Sequence, residues 1–445
     1  MKITLPYKVE QIIRTIQGAG FDAYAVGGCI RDSILGRTPS DWDITTSARP
    51  EEVKKLFPRT VDTGILHGTV TVMIQKEGFE VTTYRIDGEY EDSRHPKEVT
   101  FTANLTEDLK RRDFTVNAMA YNDKEGLIDV FGGMKDIEEK IIRCVGEAAE
   151  RFSEDALRVM RAVRFSAQLG YTIDEKTKDA IKELAPTLKN ISAERIQTEL
   201  IKIAVSPNPD YLRIAYETGV TKAIFPEFDR MMETEQNNPH HCYCVGEHTL
   251  TAMKRIKADK VLRLAMLFHD IGKPDTLTED EEGIFHFYGH PEAGAVMTKD
   301  ILKRLKFDND TTDQVSRLVK FHDYPIPLTP KGMRRAVFKI GEDLMPCLFL
   351  VKQADMLAQS GYMREEKQEE LEKLQSIYRQ VLEEKPCVSL KMLAVTGNDL
   401  IALGMEPGKE IGEILNRLLQ IVIDEPAYNE KEYLLKQAEE MRSLN

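Results

Sequence analysis

No stretch of the chain holds the roughly 18 consecutive apolar residues that a membrane-crossing helix needs. The start, MKITLPYKVEQ, lacks the apolar core of an export signal. Both absences point to a cytoplasmic protein without a membrane partner. Cysteine is sparse, and the six thiols at positions 29, 144, 242, 244, 347 and 387 are scattered, which suits reduced thiols rather than a disulfide framework. Positive charge is in deficit, with a net charge of −13. That balance argues against a protein that coats nucleic acid, but leaves room for a local basic track. There is also no internal repeat and no low-complexity tract.

What remains is an ordinary globular composition spread over 445 residues, enough for two to four domains with a buried core. Val9, Ile12, Ile13 and Ile16 have helical spacing, and Gly18 and Gly20 end that pattern. Ala23 to Val26 reads as a short buried strand running into Gly27-Gly28, and Trp42 to Ile44 as a second. Two β-rich runs, Gly68 to Gln75 and Phe79 to Ile86, are joined by Lys76-Glu77-Gly78, a hairpin signal. From Glu147 onward the pattern turns helical. Pro207-Asn208-Pro209 and Asn237-Asn238-Pro239 mark soft boundaries, Glu365 to Glu384 is a charged amphipathic helix, and Leu403 to Gly408 is a tight turn. The expected fold class is α+β: an N-terminal mixed sheet followed by an all-helical body.

The first chemistry lies in Gly27-Gly28-Cys29-Ile30-Arg31-Asp32 followed by Asp41-Trp42-Asp43. Carboxylates two apart on a strand share a face. They repel each other unless a cation lies between them, and Mg²⁺ takes hard oxygen ligands of this kind. Paired metals activate an attacking 3′-hydroxyl and neutralise a leaving pyrophosphate. The glycine pair lets backbone amides approach a phosphate, and Arg31 adds a fork of donors. An isolated Asp-x-Asp is usually a solvated turn; the ordered set is far more specific.

This set resembles the first motif of the polymerase-β-type nucleotidyltransferases, and the rest of the chain resembles the class II tRNA nucleotidyltransferases. The similarity continues through His67 to Val70, Phe79 to Arg85, Tyr90 to Pro96, Arg111 to Ala118, Glu154 to Arg158, Glu194 to Ile196 and Gly404 to Gly412, so it spans nearly the whole chain. The resemblance implies a nucleotidyltransferase head with Asp41 and Asp43 as Mg²⁺ carboxylates, and Gly28 and Arg31 as triphosphate contacts. It makes Arg112 a nucleotide contact. Glu80 is a candidate third carboxylate, with a solvated strand residue as the alternative. Asp155, Arg158, Arg161 and Arg164 are spaced by three, so successive members neighbour one another on a helix. An aspartate accepts from a base amino group and an arginine donates to ring nitrogen and carbonyl oxygen. In the family such a pair selects CTP or ATP without a nucleic-acid template. The implied partners are tRNA, CTP and ATP. The stretch Tyr90 to Pro96 matches a loop that members limited to adding CC lack, which favours addition of the whole CCA end. Poly(A) synthesis or addition of the terminal A alone is the alternative.

A second constellation consists of histidines. His248 lies in VGEHTLTAM, His269-Asp270 follows the apolar LRLAMLF, His290 lies in GHPEAGA, His322 in VKFHDYP and Asp355 in VKQADMLA. Imidazole and carboxylate ligands converging from several helices suit Mn²⁺, Ni²⁺, Fe or Mg²⁺. The order resembles the HD phosphohydrolase superfamily, implying a metal-activated water that attacks a phosphate ester, with Lys273 adding positive charge. A degenerate helical support for RNA is the alternative. His240, His241, Cys242 and Cys244 lack a second ligand pair at finger spacing and read as local structure.

The expected domains are a head over 1–145, a helical nucleotide-selecting and RNA-binding region over 146–235, an HD-type metal domain over 236–365 and a tRNA-binding tail over 366–445. Lys331, Arg334 and Arg335 form a basic cluster expected to face RNA. Two rival readings are a hydrolase with a retired head, and a non-catalytic RNA-binding nucleotide sensor; intact carboxylates speak against both.

Overall fold

The computed structural model describes residues 1–88, 99–384 and 387–443, so the stretch Tyr90 to Pro96 lies outside the described residues. The chain forms two compact units, Met1–Asp229 and Arg230–Asn445.

In the first unit, the helix Tyr7–Gly18 buries Val9, Ile12, Ile13 and Ile16 along one stripe and packs on the strand Ala23–Val26. All four residues of that strand are buried, because it lies inside a seven-stranded sheet. The strands run in the spatial order Thr60–Gly64, Thr69–Ile74, Glu77–Thr83, Ile44–Thr46, Ala23–Val26, Met119–Asn122, Gly126–Asp129. Ile44–Thr46 pairs parallel to Glu77–Thr83 and the other neighbours are antiparallel, so the sheet is mixed.

Two local expectations shift. The second strand begins at Ile44 rather than ending there, and Asp41 to Asp43 approach it as irregular chain. The Asp43 carbonyl nevertheless accepts from the Val26 amide at 3.0 Å, which anchors the aspartate's backbone beside the sheet. The hairpin turns at Gln75 and Lys76, both with positive φ (52° and 74°), a two-residue turn whose twist suits the flanking strands. Glu77 and Gly78 instead pair with Ile74 and Met73. Gly78 marks a close approach: a Cβ there would meet the Thr71 methyl at 2.9 Å.

Helices dominate after Ile142, interrupted in this unit by a parallel two-residue pairing of Ile141–Ile142 with Thr172–Ile173. The second unit is helical apart from a small hairpin, Thr278–Glu279 with Phe285–His286. Its helices Lys260–Phe268, Asn309–Phe321 and Met345–Ala358 pack around buried Leu264, Phe268, Leu318 and Val351. Asp308 caps Asn309–Phe321, accepting from the Thr311 amide at 2.7 Å. Those bonds hold its carboxyl down at about 2. Asp308→Ala is expected to cost about 1 kcal/mol in thermal or urea denaturation. Because the folded carboxyl titrates below its ordinary value, the cap's contribution is present above the ordinary carboxylate range and is lost as pH falls toward about 2. The wild-type and variant midpoints should therefore converge in acid.

The C-terminal segment builds its own core from Leu400, Ile414, Leu418, Val422, Leu434 and neighbours. Here the expected RNA-facing cluster is corrected. Arg334 is buried and donates to the carbonyls of Ile423 at 2.6 Å and Asp424 at 2.9 Å, at the end of the helix Lys409–Asp424. Arg335 forks onto the Asp424 carboxylate at 2.8 and 2.7 Å, and Lys331 reaches it at 3.0 Å. Arg334 thus satisfies carbonyls at a helix C-terminus that lack intrahelical donors, while Arg335 and Lys331 pair with the carboxylate of the residue that ends that helix.

Candidate active site

A cavity of about 910 Å³ opens on the first unit. Its floor starts at Gly27, whose φ of +86° turns the chain from the strand Ala23–Val26 into the helix Gly28–Ile34. A Cβ on Gly27 would come within 2.9 Å of the Arg112 guanidinium, so only glycine allows this approach without displacing it. Arg31 is buried; it donates to Asn117 Oδ1 at 2.6 Å and forks onto Asp32 at 2.9 and 3.0 Å. Asp41 and Asp43 both line the cavity with Gly28, Arg31 and Arg112. The enclosing protein pushes the Asp43 carboxyl up; Arg112 opposes this and the Asp41 charge adds to it. Glu80 is not in the lining, but burial and the charges of Asp43 and Asp41 raise its carboxyl too. Carboxylates gathered this way, with the Asp43 and Glu80 carboxyls raised, form a site in want of a cation.

The far wall comes from the helix Leu157–Leu169, which brings Arg161 and Arg164 into the lining. Arg161 is clamped on buried Asp113, with Nε at 2.7 Å. Arg164 donates to Glu199 at 3.2 Å, and burial together with neighbouring Arg161 lowers it to about 10. Phe165, which sequence reasoning passed over, stands among three guanidinium groups: Arg164 at 4.1 Å, Arg31 at 5.2 Å and Arg161 at 5.3 Å from its ring centre. Arg37 and Lys202, also passed over, add charge to the same lining. Net acidity of the chain therefore coexists with a locally basic cavity.

Asp155 and Arg158 are not among the lining residues. Asp155 interrupts the helical pattern: it ends the helix Ala148–Glu154 with φ −137° and ψ 102°, and its carboxylate accepts from the Leu157 amide at 3.0 Å. The spacing-by-three argument therefore holds for Arg158, Arg161 and Arg164 but not for Asp155, whose side chain caps the next helix. Asp155 also pairs with Arg195 at 2.8 Å. Arg158 donates to Glu154 at 2.6 Å and to the carbonyls of Arg151 and Arg111, each at 3.0 Å.

In the second unit all six residues of the histidine constellation converge. His269 and His322 occupy the C-caps of Lys260–Phe268 and Asn309–Phe321, and His290 begins His290–Arg304. A Cβ on Gly272 would come within 2.7 Å of the Gly294 nitrogen, so glycine lets the His269-Asp270 turn pack against that last helix. Each of the three rings aims Nδ1 at the carbonyl three residues back: Met266 at 2.8 Å, Phe287 at 2.8 Å and Val319 at 2.7 Å. A carbonyl only accepts, so Nδ1 carries a proton in each ring and Nε2 is the atom left to face a cation.

The Nε2 atoms of the cluster meet. His290 and His322 face each other Nε2 to Nε2 at 3.3 Å, and His248 and His269 at 3.2 Å. Asp270 lies between the pairs. Its Oδ2 is 3.3 Å from His269 and 3.5 Å from His248; its Oδ1 is 3.5 Å from His290 and 3.7 Å from His322. Asp355 Oδ1 closes the first group at 2.9 Å from His248. Burial and the neighbouring His269 and His290 push His322 down to about 3, so its imidazole is a neutral ligand at neutral pH. Opposed imidazoles around a shared carboxylate fit two divalent cations, one in His248–His269–Asp270 and one in Asp270–His290–His322.

A cavity of about 670 Å³ opens over this cluster. Lys273 reaches Asp270 at 2.8 Å and Gln236 at 2.7 Å. The neighbouring Cys242 is exposed and Cys244 caps the helix Val245–Arg255, as local structure should. The histidines beside them are more than that: His241 packs edge-on to His248 at 5.0 Å and, with His240, lines the cavity. Their sequence signal, two histidines just before the first ligand helix, is too short to distinguish from a loop.

The mixed sheet with its glycine turn and facing carboxylates defines a nucleotidyltransferase. The family model described as "Poly A polymerase head domain" matches residues 23–143, "Probable RNA and SrmB- binding site of polymerase A" matches 170–232, and a tRNA nucleotidyltransferase domain 2 model matches 276–438. The chain is 36% identical to the CCA-adding enzyme of Lactobacillus helveticus over 98% of its own length and 97% of that protein's. It is also 36% identical to the CCA-adding enzyme of Enterococcus faecalis over 100% and 99% of the two lengths. The crystal structure of the Bacillus stearothermophilus CCA-adding enzyme in complex with CTP matches with a TM-score of 0.74 and 31% identity, over 99% of both chains. The chain belongs to the CCA-adding enzyme family. No helix among the described residues is long and apolar enough to cross a membrane.

Proposed function

We propose that the chain adds CMP, CMP and AMP, taken from CTP and ATP, to the 3′ end of tRNA without a nucleic-acid template. The observation that carries this reading is the convergence of Gly28, Arg31, Asp41, Asp43 and Arg112 on one basic cavity in a chain related to CCA-adding enzymes over its whole length. Asp41 and Asp43 would hold Mg²⁺, with Glu80 as a further carboxylate; the metal supplies activation of the 3′-hydroxyl and charge neutralisation on pyrophosphate. Arg31 and Arg112 hold the triphosphate. Arg161 and Arg164 keep the wall of the cavity positive. Asp155 and Arg158 read the base edge after exchanging their present partners, Arg195 and Glu154.

Incubation of the purified chain with tRNA ending before CCA, after C and after CC tests this. With Mg²⁺, CTP and ATP, three additions that stop at CCA are expected on a sequencing gel. A lone A on the CC end, or a long A ladder, would replace the proposal with terminal A addition or poly(A) synthesis.

The imidazoles opposed at 3.2 and 3.3 Å around Asp270 support a second reading. We infer an HD-type hydrolase site for phosphomonoesters or 2′,3′-cyclic phosphates. Divalent ions there supply an activated water; Lys273 places positive charge beside the phosphate. The corresponding domain assignment is 1–145 head, 146–235 nucleotide selection, 236–365 HD-type domain and 366–445 tRNA-binding tail.

A further inference from the structure

The geometry points to a nucleobase platform at the mouth of the second cavity, formed by Tyr288 and His286, which makes this site selective for nucleoside phosphates; the inference rests on the HD-type reading above. Tyr288 lines the cavity and is 76% exposed, so much of its ring is open to solvent. Its ring stacks on His286 with centres 5.3 Å apart and planes 9° from parallel. Asp280 accepts from His286 Nε2 at 2.7 Å and also from the amides of Glu282 and Ile284, so the hairpin holding His286 is braced. A flat, braced, solvent-facing aromatic pair is the surface on which a base stacks.

The platform is built on the same turn as a ligand of the cluster. His286 and Tyr288 alternate with Phe287, whose carbonyl receives His290 Nδ1 and whose ring faces Lys273 Nζ at 5.3 Å. His290 follows two residues after Tyr288, so the segment that sets the platform also sets one of the phosphate-side imidazoles. On the other wall, Lys367 is fixed by Gln359 at 2.6 Å and His240 at 3.1 Å. The lining of this cavity of about 670 Å³ thus combines cationic and aromatic side chains, and its size falls within the range that encloses a mononucleotide-sized ligand. A phosphate over the cluster and a base on Tyr288 describe a nucleoside phosphate, either free or at the end of an RNA.

The test is calorimetric titration of the full chain, with the first-unit cavity saturated by a non-reactive ATP analogue and Mn²⁺ present. The ligands are adenosine 3′-monophosphate, ribose 5-phosphate as the base-free control, and a short RNA ending in a 3′-phosphate. Wild type should bind the nucleotide about tenfold or more tighter than ribose 5-phosphate, and Tyr288→Ala should erase that gap while leaving the base-free ligand unchanged. Tyr288→Phe should keep it. Tighter binding of the RNA than of the mononucleotide identifies an RNA end as the source, and the reverse identifies a free nucleotide. Equal affinities for nucleotide and ribose phosphate in wild type, or an unchanged gap in Tyr288→Ala with metal content retained, overturn the platform alone. A wild-type chain that takes up no divalent ion overturns the hydrolase reading and this inference with it.

Discussion

Replacing Asp41 and Asp43 together with alanine is expected to lower nucleotide incorporation on tRNA by about 10³-fold or more, ~4 kcal/mol of transition-state stabilisation. The fold should not suffer. The Asp43 carboxyl is raised by desolvation and the Asp41 charge, and the Glu80 carboxyl by desolvation and the charges of Asp43 and Asp41, so their ionised forms cost the folded state free energy at neutral pH. Arg112 keeps Asp108, at 3.7 Å, and the charge of Asp113 as counterions when Asp43 is gone. The melting temperature without metal should therefore stay level or rise, which separates lost chemistry from lost structure. The same raised carboxyls set the acid limb of the wild-type rate. Metal capture needs them ionised, so incorporation should fade on acidification at a pH above the ordinary carboxylate range, and excess Mg²⁺ should move that limb to lower pH. A double variant that extends tRNA at the wild-type rate would remove these carboxylates from the reaction.

Much of this architecture is legible in the sequence because it is local. The stripe Val9, Ile12, Ile13, Ile16 predicts its own burial, and the apolar run before His269 predicts the helix that the histidine caps. The convergence of the histidine constellation was legible because each member sits at a helix end or on an apolar face, where a histidine or an aspartate needs a reason. What failed depended on partners remote in sequence. Arg334 and Arg335 read as a free basic patch, yet their acceptors lie 89 positions away at Ile423 and Asp424. Asp155 sits three before Arg158, but its side chain accepts from the Leu157 amide and pairs with Arg195, 40 positions on, so spacing alone does not report the partners it keeps. Phe165 resembles any core aromatic until three guanidinium groups from two helices surround it. His241 looked like a loop residue because its neighbour, His248, belongs to the next helix. Periodicity reports which face of an element is buried, but not against whom.

Asp270→Asn is the change with the largest expected effect on the second unit. One carboxylate oxygen serves each trio, Oδ2 toward His248 and His269 and Oδ1 toward His290 and His322. An asparagine presents one oxygen and one NH₂ group, so one trio keeps a weak neutral ligand and the other gains a donor where a cation should sit. Metal content by mass spectrometry should fall from two ions per chain to fewer than one. Hydrolysis of a simple phosphate ester should drop by about 10³-fold, ~4 kcal/mol. Stability in chelator should fall as well, because Lys273 and Asp270 are both buried and the substitution leaves the ammonium without its buried counter-charge. Breaking such a buried pair costs about 3 kcal/mol. Lys273→Met in the Asp270→Asn background removes the stranded charge and should recover much of that loss without restoring metal, which separates the electrostatic effect from ligation. Nucleotide incorporation should be unchanged in both variants, since every residue lining the head cavity precedes Asn208. Two ions retained in Asp270→Asn would show that the trios do not share this carboxylate, and the opposed imidazoles would then need separate cations held by His248–Asp355 and His290–His322 alone.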